Sequence, residues 1–549
     1  MKRLLLVFSF FAFTFSISFG QSWRWGRQGI NGGWGTGLTT DNKGYTYFVG
    51  MSGDSTIFGN YVIRDTTSNE ETAFIVKYDT TGNVIWAISF RATQLLPIGI
   101  TTDVACNLIL TGQFSGTLFA GKDTLMTPIY ETYFILKIDS TGNIKWAVKG
   151  ISINDYASGI DVKTDVIGNI YLAGQFGTKL LIGQDTLYSG GSTAFFAAKF
   201  DPNGNAIWAK QSGETGYIVS PLAETIFDSK YLYFSCRISY RTKFGTISLI
   251  DSSQYDNVCL LKMDTGGNFL WAKAITCNNQ ALSFKGSVQV DKSGYIYIDG
   301  NFGDTLNFSG QNLFSPNLSN GFLIKYSPSG NVLWGKQASS TIPWNSYSTT
   351  IDGNDNIYIS SSGSKIQFGA VTLNTVPDPM DNPVGVIKFD TSGTALGGVI
   401  IKAGGGNSSY LSADNSGKYI YLAGTLADSI TIGSNKIGPP GNGQQWAFIA
   451  SWDASTVTGI EDISHIENSV LVYPNPSQGI FNFQVQGTNQ KANIEVYNML
   501  GEKVHDSQYP ISSNQYSLDL SSQPPGIYLY RIISEKGEAI ASGKLVIEK

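Results

Sequence analysis

The chain has 549 residues, far more than one ordinary core requires, so several domains or a repeat array is expected. Charged residues make up 14% and the net charge is -5, which leaves no basic footprint for nucleic acid or an anionic membrane. Sixty-two glycines and 13% aromatics, with short β-branched runs between them, predict an all-β protein rich in turns.

Lys2-Arg3, the apolar stretch Leu4–Ile17 and the small-x-small ending Ser18-Phe19-Gly20 predict a cleaved secretory signal over residues 1–20. The apolar run is too short to span a bilayer and no other stretch reaches the needed length, so no transmembrane anchor is expected.

Over residues 21–455 one phrase recurs. Phe74-Ile75-Val76-Lys77-Tyr78-Asp79 leads through Gly82-Asn83 to Trp86-Ala87, and copies run Lys137–Trp146, Lys199–Trp208, Lys262–Trp271, Lys325–Trp334 and, more weakly, Lys388–Gly397. The lysine position recurs at 77, 137, 199, 262, 325, 388 and 451 (Ser451 in the last copy), at intervals of 60, 62 and then 63 residues. A period this regular signals stacked units. The last copy, Phe448–Asp453, lacks its Gly-Asn-x-x-Trp half, while Trp25-Gly26-Arg27-Gln28 stands unpartnered near the start and matches Trp334-Gly335-Lys336-Gln337.

One copy reads as four strands, Ile98–Asp103, Asn107–Gly112, Phe134–Asp139 and Asn143–Lys149, which make a propeller blade. The alternation in Gly168-Asn169-Ile170-Tyr171-Leu172-Ala173-Gly174 predicts half-buried strands. Seven third strands, with residues 22–29 supplying the fourth strand of the last, predict a seven-bladed β-propeller closed by its N-terminal strand, leaving no sheet edge open at the seam. The Asp-x-x-Gly-Asn turn at Asp79, Asp139, Asp201, Asp264 and Asp390 reads as a hairpin, its aspartate accepting local backbone bonds, because the alternating oxygens of a calcium loop are missing. The repeated tryptophan reads as packing between blades.

The longer connections share the face opposite the tight turns and carry aromatics and amides. Tyr156, Tyr217, Trp344, Tyr347 and Tyr410 are therefore the candidate ligand-binding residues. Cys106, Cys236, Cys259 and Cys277 allow three disulfide pairings, with Cys236 and Cys259 in the same repeat, and none has the C-x-x-C spacing of a metal or redox site. No metal or cofactor is expected. The two histidines, His465 and His505, fall outside 21–455, so no Ser-His-Asp triad, His-ligated zinc or histidine base can be built there. Carboxylate-only chemistry stays open.

Residues 456–469 read as a polar linker, and residues 470–549 as a small β-sandwich. Its phrases are Val472-Tyr473-Pro474-Asn475-Pro476-Ser477-Gln478-Gly479, Ile494–Gly501, Pro525–Arg531 and Gly543–Ile547. In this order they closely resemble the type A sorting domain of the Bacteroidota type IX secretion system. The resemblance marks Pro474, Asn475, Pro476, Gly479, Gly501, Gly526, Tyr528 and Lys544 as motif residues. It implies an address recognised by the type IX machinery, and a protein released outside the cell or held on its outer surface.

Through Gly-Asn-x-Tyr-x-x-Gly, Phe-x-x-Lys-x-Asp and Phe368-Gly369 to Leu373, the repeats resemble bacterial SBBP-type β-propeller repeats, a family that lends no common activity. Asp123-Thr124-Leu125, Asp185-Thr186-Leu187, Asp304-Thr305-Leu306 and Asp428-Ser429-Ile430 resemble the phylum's O-glycosylation signal. Asp79-x-Thr81-Gly82 followed by Trp86 resembles the tryptophan-docking motif of quinoprotein dehydrogenases, with the Asp-to-Gly spacing one residue shorter. The expected function is a non-enzymatic binding or adhesion module whose partner is an extracellular glycan or protein. The alternatives are a propeller enzyme, quinoprotein-like or carboxylate-based and glycan-active, and a purely structural surface component.

Overall fold

A computed structural model describes residues 23–64, 69–213, 219–239, 241–250, 257–277, 287–338, 345–362, 365–369, 371–374, 384–401, 409–432, 435–439, 444–456, 470–485, 491–499, 502–510, 515–534 and 539–548. They fall into two compact bodies, Met1–Thr458 and Gly459–Lys549. The described residues of both are strand and turn, apart from one short 3-10 turn at Ala454–Thr456.

In the first body each repeat folds into four antiparallel strands paired in chain order, as in Trp34–Thr40, Thr46–Met51, Glu71–Tyr78 and Val84–Ala92. The next five repeats open with first strands at Gln94–Thr102, Ala157–Thr164, Val219–Phe227, Val288–Val290 and Asn345–Ile351. Two neighbouring pairs join into eight-stranded sheets, the first and second through Arg91 opposite Phe119, the fourth and fifth through Ile275–Cys277 opposite Leu306–Phe308. The seventh repeat has Ser409–Ala413, Tyr419–Leu426 and Trp446–Asp453. Its fourth strand is Trp23–Gln28, with Trp25 opposite Ser451 and Gln28 opposite Phe448. The two halves of the split phrase thus meet in one sheet.

The core lies between the sheets. Phe90 and Phe134 belong to a cluster joining the first and second repeats, Tyr133 and Phe196 to one joining the second and third, and Phe195 and Phe234 to one joining the third and fourth. The series continues to Tyr358 and Trp452, and one more cluster joins Phe48 and Phe74 of the first repeat to Tyr421 and Ile449 of the seventh. This arrangement corrects the expectation of half-buried strands. Thr46–Met51 is buried at all six positions and Ala73–Tyr78 throughout, because both faces of a central strand are covered by neighbouring sheets.

A further hairpin, absent from the four-strand reading, lies between the second and third strands. Examples are Ser55–Phe58 with Tyr61–Arg64 and Lys179–Ile182 with Asp185–Tyr188. The Phe-Gly pair turns it: Gly369 has φ 55°, a left-handed geometry in which a β-carbon is strained. The aspartates of Asp-Thr-Leu sit on this hairpin. Asp123 Oδ2 accepts the Ala147 amide at 3.1 Å and Asp185 Oδ2 that of Ala209 at 2.7 Å, so these carboxylates cap amides of the outermost strand. Thr124 and Thr186 beside them are exposed.

In the second body a three-stranded sheet (Val470–Tyr473, Ile480–Val485, Gln515–Asp519) and a four-stranded sheet (Lys503–Pro510, Lys491–Asn498, Gly526–Ser534, Ala539–Ile547) enclose one core. Phe481, Phe483, Val496, Leu518, Tyr530 and Leu545 belong to it.

Candidate functional site

The recurring residues are taken up by stitching one repeat to the next. Lys77 and Trp86 stand opposite each other on adjacent strands and converge on one carbonyl of the following repeat: Lys77 Nζ donates to Ser140 O at 2.9 Å and Trp86 Nε1 at 3.1 Å. The equivalent lysines reach Pro202, Pro328, Thr391 and Ala454, each the residue after a turn position equivalent to Asp139. Lys77 also lies 4.5 Å from the Tyr45 ring centre and 5.0 Å from that of Tyr47. Tyr47, Tyr171, Tyr297 and Tyr358 donate to the buried aspartates Asp41, Asp165, Asp291 and Asp352 at 2.9–3.0 Å. A tryptophan used in this way is a clamp between sheets.

The Asp-x-x-Gly-Asn turns satisfy their own carboxylates. Asp139 Oδ1 accepts Thr141 N, Thr141 Oγ1 and Asn143 N, and Oδ2 accepts Asn143 Nδ2. Burial works against the charge, yet these bonds outweigh it, holding Asp79 and Asp201 below the usual carboxylate range and Asp139 down to about 2. A depressed carboxyl stabilises the fold fully above its unfolded value of about 3.9, and that contribution is lost as pH falls through the folded value. The thermal midpoint of the whole chain is therefore expected to fall as pH drops from about 4 to 2; replacing Asp139 and Asp201 with asparagine should flatten that slope.

What the signature leaves over is the centre. The first strands lie side by side in repeat order, and that of the seventh lies against that of the first, where Ser412 Oγ donates to Thr40 Oγ1 at 2.9 Å. Together they line a cavity of about 400 Å³. One ladder position supplies a residue from every repeat: Gly37, Gly99, Asp161, Ala223, Ser287, Ser348 and Tyr410. The repeats agree where they pack and differ where they face this cavity. Asp161 bridges two repeats, taking Lys163 Nζ on Oδ1 at 2.7 Å and the Glu224 amide on Oδ2 at 3.0 Å. Ser348 Oγ likewise accepts the Leu411 amide at 3.1 Å, and Gln289 Nε2 donates to Thr349 O at 3.0 Å.

Of the predicted ligand-binding residues, Tyr410 is at the cavity, half-buried, its hydroxyl pushed up to about 12 by burial. Tyr156 is away from it, at the start of the third repeat, paired with Thr193 Oγ1 at 2.9 Å. Tyr217 and Trp344 lie outside the described residues, and Tyr347 is placed in its strand by backbone alone. Ser287, Gln289 and Ser348 were missed. Their signal was variation at a fixed distance before the turn aspartate, which a search for aromatics passes over. Cys236 and Cys259 stand directly opposite each other as buried thiols, and burial, with Cys259 beside it, raises the Cys236 thiol.

In the second body the sorting motif fastens the last strand. Asn475 Nδ2 donates to Lys544 O at 2.6 Å while its Oδ1 accepts the Val546 amide at 2.8 Å, and Ser477 exchanges backbone bonds with Val546 and Glu548. Gly479, at φ 113°, lies against Ser521, where a β-carbon would come within 2.5 Å of Cα. Tyr528 is buried with its hydroxyl on Pro524 O; Pro474, Pro476, Gly526 and Lys544 are exposed, and Gly501 lies outside the described residues. Asn475→Ala should cost about 1–3 kcal/mol through its two lost bonds. Faster amide exchange at Val546 than in the unaltered chain is the expected reading.

Residues 471–548 match the family described as "Secretion system C-terminal sorting domain". Such a domain engages the type IX secretion machinery, and the chain is secreted to the cell surface or outside. No helix among the described residues is long and apolar enough to cross a membrane. Over 413 residues the chain is 26% identical to an uncharacterized WD repeat-containing protein of Acanthamoeba polyphaga mimivirus, covering 60% of this chain and 29% of that one. It thus spans under a third of that relative's length. Among solved structures it is similar to the phage phi92 endosialidase (TM-score 0.31, 9% identity, 96% of this chain and 85% of that one). It is also similar to a member of the duf4221 family from Bacteroides vulgatus (TM-score 0.30, 10% identity, 65% and 98%). Both superpositions are too loose to carry an argument.

Proposed function

We propose that the exported protein is a seven-bladed β-propeller of SBBP type, closed by Trp23–Gln28, that acts without catalysis as a binding or adhesion module at the cell surface. The carrying observation is the division of labour among its repeats. Residues common to the repeats are consumed in contacts between sheets, while the ladder position facing the central cavity carries Gly, Gly, Asp, Ala, Ser, Ser and Tyr. Variation placed on a rigid, repeated frame is what selective recognition requires. The similarity to a WD repeat-containing protein, whose named repeat is a propeller repeat, supports the architecture. The absence of histidine from residues 21–455 supports the non-catalytic reading.

The test is a screen of the chain from residue 21 onward against extracellular glycans and surface proteins, with turnover assayed in parallel after quinone addition. Saturable binding without turnover is expected. Turnover of any offered substrate, or binding to neither class, would overturn the reading.

A further inference from the structure

We infer that the central cavity, if the binding reading above holds, is a site for a neutral saccharide, one or two sugar units at the end of a chain. The wall is two-sided. Ile98, Ile160, Pro221 and Leu222, from the second to fourth repeats, form an apolar arc interrupted by the Asp161–Lys163 pair and the buried Glu224, and Ser287, Gln289, Ser348 and Ser409, from the fifth to seventh, form a polar, uncharged one. A pyranose has the same division, with C–H faces and hydroxyl edges, and about 400 Å³ lies within the usual range for small-molecule sites of about 300–1,000 Å³.

The polar arc offers both halves of a hydrogen bond. Ser348 Oγ already accepts the Leu411 amide and so has its own O–H to give. Ser287 donates to Asp299 at 2.6 Å and Ser409 to Ser360 at 2.9 Å, so each presents lone pairs, and Gln289, whose Nε2 is spent on Thr349 O, keeps an acceptor in Oε1. A cation would call for acceptors alone and an anion for donors alone; a hydroxyl takes both. The charges at the wall do not favour an ion either, since Lys163 pairs with Asp161 at 2.7 Å and burial pushes the third ionisable group there, the Glu224 carboxyl, toward its neutral form. Glycine at Gly37 and Gly99 lets the neighbouring first strands of the wall approach closely: a β-carbon on Gly99 would come within 2.7 Å of Asp161 Cα.

The chain from residue 21 onward would be titrated with neutral hexoses, neutral disaccharides, N-acetylhexosamines and uronic acids, by saturation-transfer NMR and calorimetry. Gln289→Leu and Ser348→Ala would be run beside it, with thermal melts to confirm folding. Binding of a neutral sugar, weakened about tenfold by either variant at an unchanged melting midpoint, is expected. Binding of uronic acids only, or neutral-sugar binding indifferent to both variants, overturns the site. Silence with every sugar while a surface protein is captured overturns the saccharide and leaves the binding reading standing. Silence in both overturns both.

Discussion

Trp25→Ala is expected to destabilise the chain by about 3–5 kcal/mol, among the largest effects of any single substitution in the first body. The indole is 6% exposed, stacks on Tyr78 of the first repeat at 6.2 Å, packs tilted at 46° against Tyr421 of the seventh at 5.9 Å, and donates to Thr80 O at 3.2 Å. It also covers Gly82, where a β-carbon would come within 2.5 Å of the ring. Trp86→Ala is the informative control. Trp86 makes the same bond to the next repeat and is 8% exposed, but its strand is tied on both sides by chain. The strand carrying Trp25 completes the seventh repeat's sheet but is joined by chain to the first repeat, through residues 29–33. Its release would expose Trp446–Asp453 as a bare sheet edge, an invitation to pairing between molecules. Both variants should lose denaturant midpoint, and only Trp25→Ala should also gain cleavage near residue 28 and concentration-dependent aggregation. Equal behaviour in all three readouts would mean that the seam is no weaker than any other junction.

Glu224→Val should stabilise the protein at neutral pH, by on the order of 1–3 kcal/mol. Glu224 is 2% exposed, and its ladder position carries Leu38, Ile100, Val162, Val288 and Leu411 in five of the other repeats and Thr349 in the remaining one. Neither carboxylate oxygen has a well-formed hydrogen bond, and only the Ala173 amide gives a weak pull. Burial first, and the Asp161 charge second, push the carboxyl well above its ordinary range, against a smaller opposing pull from Lys163. The folded state therefore keeps a proton that the unfolded chain releases above about pH 4.3, so stability falls with rising pH between those two values. Below the unfolded value both states are protonated and that penalty vanishes. The gain from Glu224→Val is accordingly larger at pH 8 than at pH 4, and Glu224→Gln, which removes the ionisation and keeps the polarity, should share the pH-dependent part. A gain independent of pH would show that titration of Glu224 has no part in it. This window lies above that of the turn aspartates, whose loss is confined to pH below about 4.

Much of the first body was legible because its signals are local and repeated. The lysine period, the Asp-x-x-Gly-Asn turns and the orphan Trp25-Gly26-Arg27-Gln28 each rest on a few adjacent residues, and Trp23–Gln28 does pair with Phe448–Trp452. The tail phrases were legible for the same reason: Asn475 and Ser477 act on a strand 70 residues away, but their spacing from Gly479 is fixed by one tight turn. The extra hairpin was lost because its strands are short and its Phe-Gly turn reads as a loop. The candidate aromatics were chosen for residue type on the long connections, and of the two whose side chains are described, Tyr410 alone reaches the cavity.

Composition and spacing by themselves determined the all-β class, the number of copies and the lack of a histidine in the repeats, and a family resemblance marked the export tail. Tertiary structure decided what each copy does with its residues, since the contacts that join one repeat to the next lie about 60 positions apart and those at the seam join the two ends of the first body. Counted back from the turn aspartates, Asp161 before Asp165 and Glu224 before Asp228 occupy the same place and would both face the centre. The ladder places them differently. Asp161 pairs with Ala173, but Ala223 takes the equivalent place opposite Ser235 and Glu224 falls opposite Phe234, because Phe227 holds the turn position of Asp165 and Asp228 comes one residue later in a turn of the same length. Side chains alternate faces along a strand, so a shift of the turn aspartate by one place changes which face a carboxyl counted back from it occupies, and only the pairing shows it.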